Sequence, residues 1–228
     1  MRKVEKNGKT ICLEAVVFDM DGLMFDSERV VMYSWDVAGE KLGYGPMGHN
    51  IYNTLGMGAE LREQYFRKTY GEDFPYEQFK NVYRDAYYDY ADTHGVPVKP
   101  GLLELLKLLK ELEIPAAMAT STGAWDALKR LRQDDLEPYF QVIITGDMVS
   151  ETKPSPEIYE KTCKALGVDP DHAIALEDAC NGIISAHRAG MHPIMIPDLQ
   201  KDSSSVDEYI YAKMESLTEV AAWLRGSR

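Results

Sequence analysis

Asp19 and Asp21 stand two residues apart at the end of a short apolar run, Ala15 to Phe18, and Gly22 follows directly. Side chains at i and i+2 of an extended chain point to one side, so both carboxylates can face one ligand beyond the strand end. Gly22 lets the chain turn sharply there. An aspartate is ionised at neutral pH and can attack an electrophile such as phosphorus without a general base. A second carboxylate beside it can give a proton to the leaving oxygen and later take one from water. Asp19 is therefore the candidate nucleophile and Asp21 the candidate acid and base. The same spacing also occurs in plain polar turns. An EF-hand loop is excluded, because Met24 stands where that loop needs Gly and Val30 where it needs Glu.

Further segments bring polar groups to the ends of apolar runs. Ala117 to Ala119 lead into Thr120, Ser121 and Thr122. Hydroxyls and backbone amides at a helix start can hold an anion, which makes Thr120 and the Ser121 amide candidates for phosphate binding. Taken alone, Ser121 or Thr122 reads equally as a helix cap. Lys153 is flanked by Pro154 and Pro156, which stiffen the chain around one cation. A lysine fixed in this way can neutralise a nucleophilic carboxylate together with phosphoryl oxygens, and without that context it is a solvated side chain. Ile174 to Leu176 open into Glu177 and Asp178. Asp19, Asp178 and the Asp21 carbonyl supply the hard oxygen ligands that Mg²⁺ prefers, and Glu177 can add or orient another. Asp178 or Asn181 could instead cap the next helix.

These residues need a frame that sets strand ends side by side. After Pro97, β-rich runs (115–120, 141–145, 172–176, 192–196) alternate with helical patterns (101–113, 124–134, 156–166, 181–189), the signature of a parallel α/β sheet. Between Ser27 and Pro97 only helical periodicity appears, over 28–42, 50–55, 59–70 and 75–93. The predicted organisation is a catalytic Rossmann-like core of residues 1–27 and 97–228, with an all-α cap at 28–96 that closes over the site and selects the substrate. Lys6 to Lys9 carry a hairpin turn, and residues 217–225 a last helix.

Composition narrows the chemistry. With 25 basic against 37 acidic side chains, a net charge of −12 repels polyanions, so nucleic acid is not an expected partner. No apolar stretch is long enough for a membrane span or a secretory signal, and the expected location is the cytoplasm. The 3 cysteines lie far apart, which suits neither a disulfide framework nor a paired-ligand zinc site. Gly43, Gly45 and Gly48 match a dinucleotide fingerprint by spacing but follow a helical segment and enclose Pro46.

The segments Phe18 to Glu28, Thr120, Lys153 to Tyr159 and Glu177 to Ile183 resemble, in order and position, those of the haloacid dehalogenase-like superfamily, nearest its β-phosphoglucomutase-like phosphatases. The resemblance implies a Mg²⁺-dependent phosphatase forming an aspartyl-phosphate on Asp19. By it, Asp21 is the acid and base, Thr120 and Lys153 hold phosphate, and Asp178 binds metal with Glu177 beside it. Val31 stands where the mutases resembled carry a histidine, and Met57 to Ala59 where they carry basic residues. A mutase needs cations for a second phosphate, so hydrolysis of a small phosphate monoester is expected over sugar phosphomutase chemistry. Tyr52, Met57 and Arg62 are the candidate substrate contacts. A phosphometabolite-binding protein without turnover is a third alternative. The expected assembly is a monomer or weak homodimer.

Overall fold

The computed structural model describes residues 2–55, 57–200 and 202–227. Gly56, placed by the sequence in the loop after Leu55, lies outside them. Strands β1 (Arg2–Lys6) and β2 (Lys9–Leu13) form an antiparallel ribbon, with Asn7 and Gly8 at positive φ in its turn. Strand β3 (Ala15–Phe18) follows and is buried throughout. Full burial on both faces explains why it reads as a continuous apolar run and not as an alternating one.

Residues Asp26–Pro97 form one compact unit, and Met1–Phe25 with Val98–Arg228 form the other. The backbone N–H of Asp26 donates to the Pro97 carbonyl at 2.8 Å, which joins the two ends of the first unit. That unit holds helices α1 (Ser27–Lys41), α2 (Ile51–Thr54), α3 (Ala59–Tyr70) and α4 (Tyr76–His94). Its core is aromatic. The Trp35 ring meets Phe66 edge-on at 5.2 Å between centroids, and Phe66 lies 4.9 Å from Phe79 and stacks on Phe74. Such pairs add about 0.5–1.5 kcal/mol each beyond the area they bury. The aromatic run from Tyr65 to Tyr90 therefore serves packing in this unit.

The second unit continues with α5 (Leu102–Glu111), β4 (Ala116–Ala119), α6 (Ala124–Gln133), β5 (Phe140–Ile144), α7 (Glu157–Leu166), β6 (Ala173–Glu177), α8 (Cys180–Arg188), β7 (His192–Met195), β8 (Ala212–Lys213) and α9 (Leu217–Gly226). Among the described residues there is one parallel sheet of six strands, in the order β5-β4-β3-β6-β7-β8. The predicted strands and helices end within one or two residues of these bounds. The two-residue β8, which pairs with β7, was not predicted. One sheet face is lined by Ala15, Val17, Ala117, Ala119, Ala173 and Ala175, against which Ile158, Tyr159 and Cys163 of α7 pack. Small side chains there let α7 lie close to the strands, and this proximity brings Tyr159 to their ends. None of the described helices is long and apolar enough to cross a membrane.

Candidate active site

Strands β4, β3 and β6 are neighbours in register, with Phe18 level with Met118 and with Leu176. Parallel pairing makes all three end on one edge of the sheet, where open α/β folds bind ligands. One residue on, Asp19 thus emerges level with Ala119, the residue before Thr120, on one flank and with Glu177 on the other. Its backbone N–H still donates to the Leu176 carbonyl at 3.0 Å, so the strand holds it in place. Beyond it the chain folds back, with the N–H groups of Met24 and Phe25 both donating to the Met20 carbonyl. Gly22 makes this possible at φ +80°, and a Cβ there would lie 2.1 Å from Asp178 Oδ2. Glycine is required at that position by backbone geometry and by the approach of Asp178.

Lys153 reaches Asp19 from the segment before α7, and its peptide bond to Pro154 is cis. Its Nζ donates to Asp19 Oδ1 at 2.5 Å, Glu177 Oε1 at 2.7 Å and the Ala119 carbonyl at 3.1 Å. Three such acceptors call for a protonated amine, and the Tyr159 hydroxyl oxygen makes a further, longer contact at 3.4 Å. Burial works against the charge, yet the Asp19 and Glu177 carboxylates hold the Lys153 ammonium well above its ordinary range. Burial also pushes Asp19 up to about 7, against the pull of Lys153 and with Glu177 adding to the rise. One oxygen from each of Asp19, Glu177 and Asp178 lies within 4.8 Å of the others. Three carboxylates against one ammonium leave excess negative charge in a poorly solvated place. A hard divalent cation fits this oxygen-only set, and its charge would offset the cost of ionising Asp19.

Asp21 takes different partners. Its Oδ2 accepts from the Thr122 hydroxyl at 2.6 Å and its Oδ1 from Arg130 Nη1 at 2.5 Å. The Arg130 side chain is 12% exposed and that of Asp21 33%, so this pair is partly shielded from solvent. Thr122 is therefore committed to Asp21, and the first amide of α6, on Ala124, donates instead to the Asp147 carboxylate. Thr120 is buried, and its Oγ1 accepts the Thr122 N–H at 3.1 Å, which leaves its own hydroxyl hydrogen to donate. Ser121 is exposed beside it.

The structure thus brings Asp19, Lys153, Glu177 and Asp178 together, with Asp21, Thr120 and Ser121 on the adjoining segments. Tyr52, Met57 and Arg62 belong to the helical unit. Tyr52 is exposed, while Arg62 Nη2 donates to the Met57 carbonyl at 3.1 Å and its guanidinium lies 5.8 Å from the Trp35 ring. Arg130 was not among the candidates read from the sequence. It sits in a helix turn that also carries Lys129 and Arg132, and no spacing marks which of these cations crosses to Asp21.

Residues 16–196 match the family model described as haloacid dehalogenase-like hydrolase. The chain is 34% identical over 185 residues to a phosphorylated carbohydrates phosphatase of Thermotoga maritima, covering 80% of this chain and 84% of that protein. It is 30% identical to hexitol phosphatase B of Escherichia coli K12, covering 91% and 94%. Among solved structures, a putative beta-phosphoglucomutase from Thermotoga maritima superposes with a TM-score of 0.79 at 28% identity, over 93% of this chain and 99% of that one.

Proposed function

Because this chain belongs to the haloacid dehalogenase-like hydrolases, we propose that it is a phosphatase that hydrolyses the phosphate monoester of a small carbohydrate through a phosphorylated Asp19. The observation that carries this is the Asp19 carboxylate held at 2.5 Å from Lys153, with carboxylate oxygens of Glu177 and Asp178 within 4.8 Å. A carboxylate placed between a fixed ammonium and a cation-binding cluster is oriented for attack on phosphorus.

In the first step an Asp19 oxygen forms a bond to phosphorus as the bond to the leaving oxygen breaks, and Asp21 delivers a proton to that oxygen. Lys153 lends its positive charge to the phosphoryl oxygens and the Thr120 hydroxyl donates to them, with the Ser121 amide beside them. In the second step Asp21 takes a proton from water, the water oxygen bonds to phosphorus, and Asp19 is released as a carboxylate. Asp19, Asp178, the Asp21 carbonyl and Glu177 would hold Mg²⁺, which when bound supplies positive charge against the phosphoryl group. Relatives named for phosphorylated carbohydrates and hexitols support the substrate class. Selection among such esters is assigned to residues 28–96, through Tyr52, Met57 and Arg62.

Release of orthophosphate from hexose phosphates, hexitol phosphates, phosphoglycolate and an aryl phosphate tests the proposal. Release from carbohydrate esters with Mg²⁺, abolished by chelator, is the expected result. Interconversion of hexose phosphates that outpaces phosphate release, or binding of Mg²⁺ with no turnover of any ester, would contradict it.

A further inference from the structure

Tyr159 lies on α7, outside the groups that touch a substrate in the scheme above, and is fully buried. A tyrosine hydroxyl is rarely buried without a partner. Here it donates to Glu177 Oε1, the same oxygen that accepts from Lys153. The Lys153 ammonium also lies 5.0 Å from the centre of the Tyr159 ring and donates weakly to the Tyr159 hydroxyl oxygen at 3.4 Å, a longer contact than its 2.7 Å bond to Glu177. On its other side the Glu177 carboxylate presses on α8, where a Cβ at Gly182 would fall 1.9 Å from Glu177 Cδ and 2.0 Å and 2.1 Å from its oxygens. Glu177 is thus confined between a hydroxyl, an ammonium and a helix backbone that only glycine leaves open.

We propose that Tyr159 is a positioning residue: its hydroxyl, with the bare backbone of Gly182, fixes the Glu177 carboxylate so that Glu177 in turn holds Lys153 against Asp19. This rests on Lys153 acting as the cation of the phosphate site. The geometry gives the order of dependence. Glu177 Oε1 collects two donors, so losing the hydroxyl leaves its rotamer to Lys153 alone. Lys153, held by Asp19, Glu177 and the Ala119 carbonyl, then loses the fixed position of one of its acceptors. Neither Tyr159 nor Gly182 bonds to Asp19, so their influence on the reacting atoms passes through Glu177 and Lys153.

Tyr159→Phe keeps the ring and removes only the hydroxyl. The expected result is a fall in kcat of about tenfold with KM changed less than about twofold, as for lost positioning that acts mainly in the transition state. In a Glu177→Met background the same substitution costs less than about twofold, because the acceptor it acts through is gone. In metal-free protein labelled with ¹⁵N-lysine, the buried ammonium resonance assigned by Lys153→Met shifts in Tyr159→Phe, while the melting temperature stays close to that of the parent. Gly182→Ala leaves Tyr159 intact and should give the same kcat loss with KM spared, which decides the matter should Tyr159→Phe not be recovered folded. A kcat within twofold of the parent, an unshifted ammonium resonance, or an undiminished loss in the Glu177→Met background overturns the proposal. Full activity in Lys153→Met would instead overturn the role of Lys153 and this inference with it, whereas an inert Lys153→Met beside a normal Tyr159→Phe overturns this inference alone.

Discussion

At the scale of single residues, the site is divided into two charged groupings with different tasks. Asp19 shares Lys153 with Glu177 in a buried cluster, whereas Asp21 is bound by Thr122 and Arg130 on the adjoining segments. The division suits the proposed chemistry, because a nucleophile must stay fixed in line with phosphorus and an acid and base must stay oriented toward the leaving oxygen. Arg130 is the residue that this structure adds to the candidate site. A hydrogen bond to a charged group contributes about 1.5–3 kcal/mol, so Arg130→Met, which keeps the apolar stem, is expected to lower kcat/KM by roughly 10- to 100-fold. Steady-state kinetics beside a melting curve check this, and an unchanged kcat/KM in a folded variant would reduce Arg130 to a structural role.

At the scale of elements, what was legible in the sequence follows from how each residue is delivered. Asp19, Thr120, Glu177 and Asp178 each stand at the end of an apolar run, and the parallel order β4-β3-β6 turns that one-dimensional regularity into proximity. Lys153 was legible through the prolines around it. Arg130 and Tyr159 were not, because a helix presents charged and aromatic side chains in every direction and only the packed sheet decides which of them reaches the site. The strand β8 escaped for a different reason, since two residues carry no periodicity. The segment that bears Lys153 is tied to α7 by Glu157, whose carboxylate accepts from the N–H groups of Ser150 and Glu151 at 2.9 Å and 2.8 Å and pairs with Lys161. Lys161 first, and then those two amides, hold the Glu157 carboxyl down at about 2 from an ordinary 4.5. A carboxyl lowered in the folded state stabilises the fold above its unfolded value, and that contribution fades as the pH falls through the interval toward the folded one. Glu157→Gln should therefore melt lower than the parent at neutral pH, with the gap narrowing below pH 4.5. Calorimetry across that range measures it, and a gap independent of pH would contradict the assignment.

At the scale of the whole molecule, one unit carries an α/β sheet with the charged cluster at its strand ends, and the other is an all-helical body built on Trp35, Phe66 and Phe79. The family match spans both units, and the relatives named as phosphatases share up to nine-tenths of the chain. Every group that the proposed reaction needs lies in the α/β unit, on segments that the parallel sheet brings to one edge. In the proposed reaction Asp19 itself carries the phosphoryl group. Acid quenching during the first turnover with Mg²⁺ and a reactive phosphate ester, followed by mass mapping of peptides, tests it most directly. The prediction is one phosphoryl group on Asp19, removed by hydroxylamine as an acyl phosphate is and missing from Asp19→Asn. A first turnover that releases product with no phosphoryl group on the protein, or with the label on another residue, would contradict it.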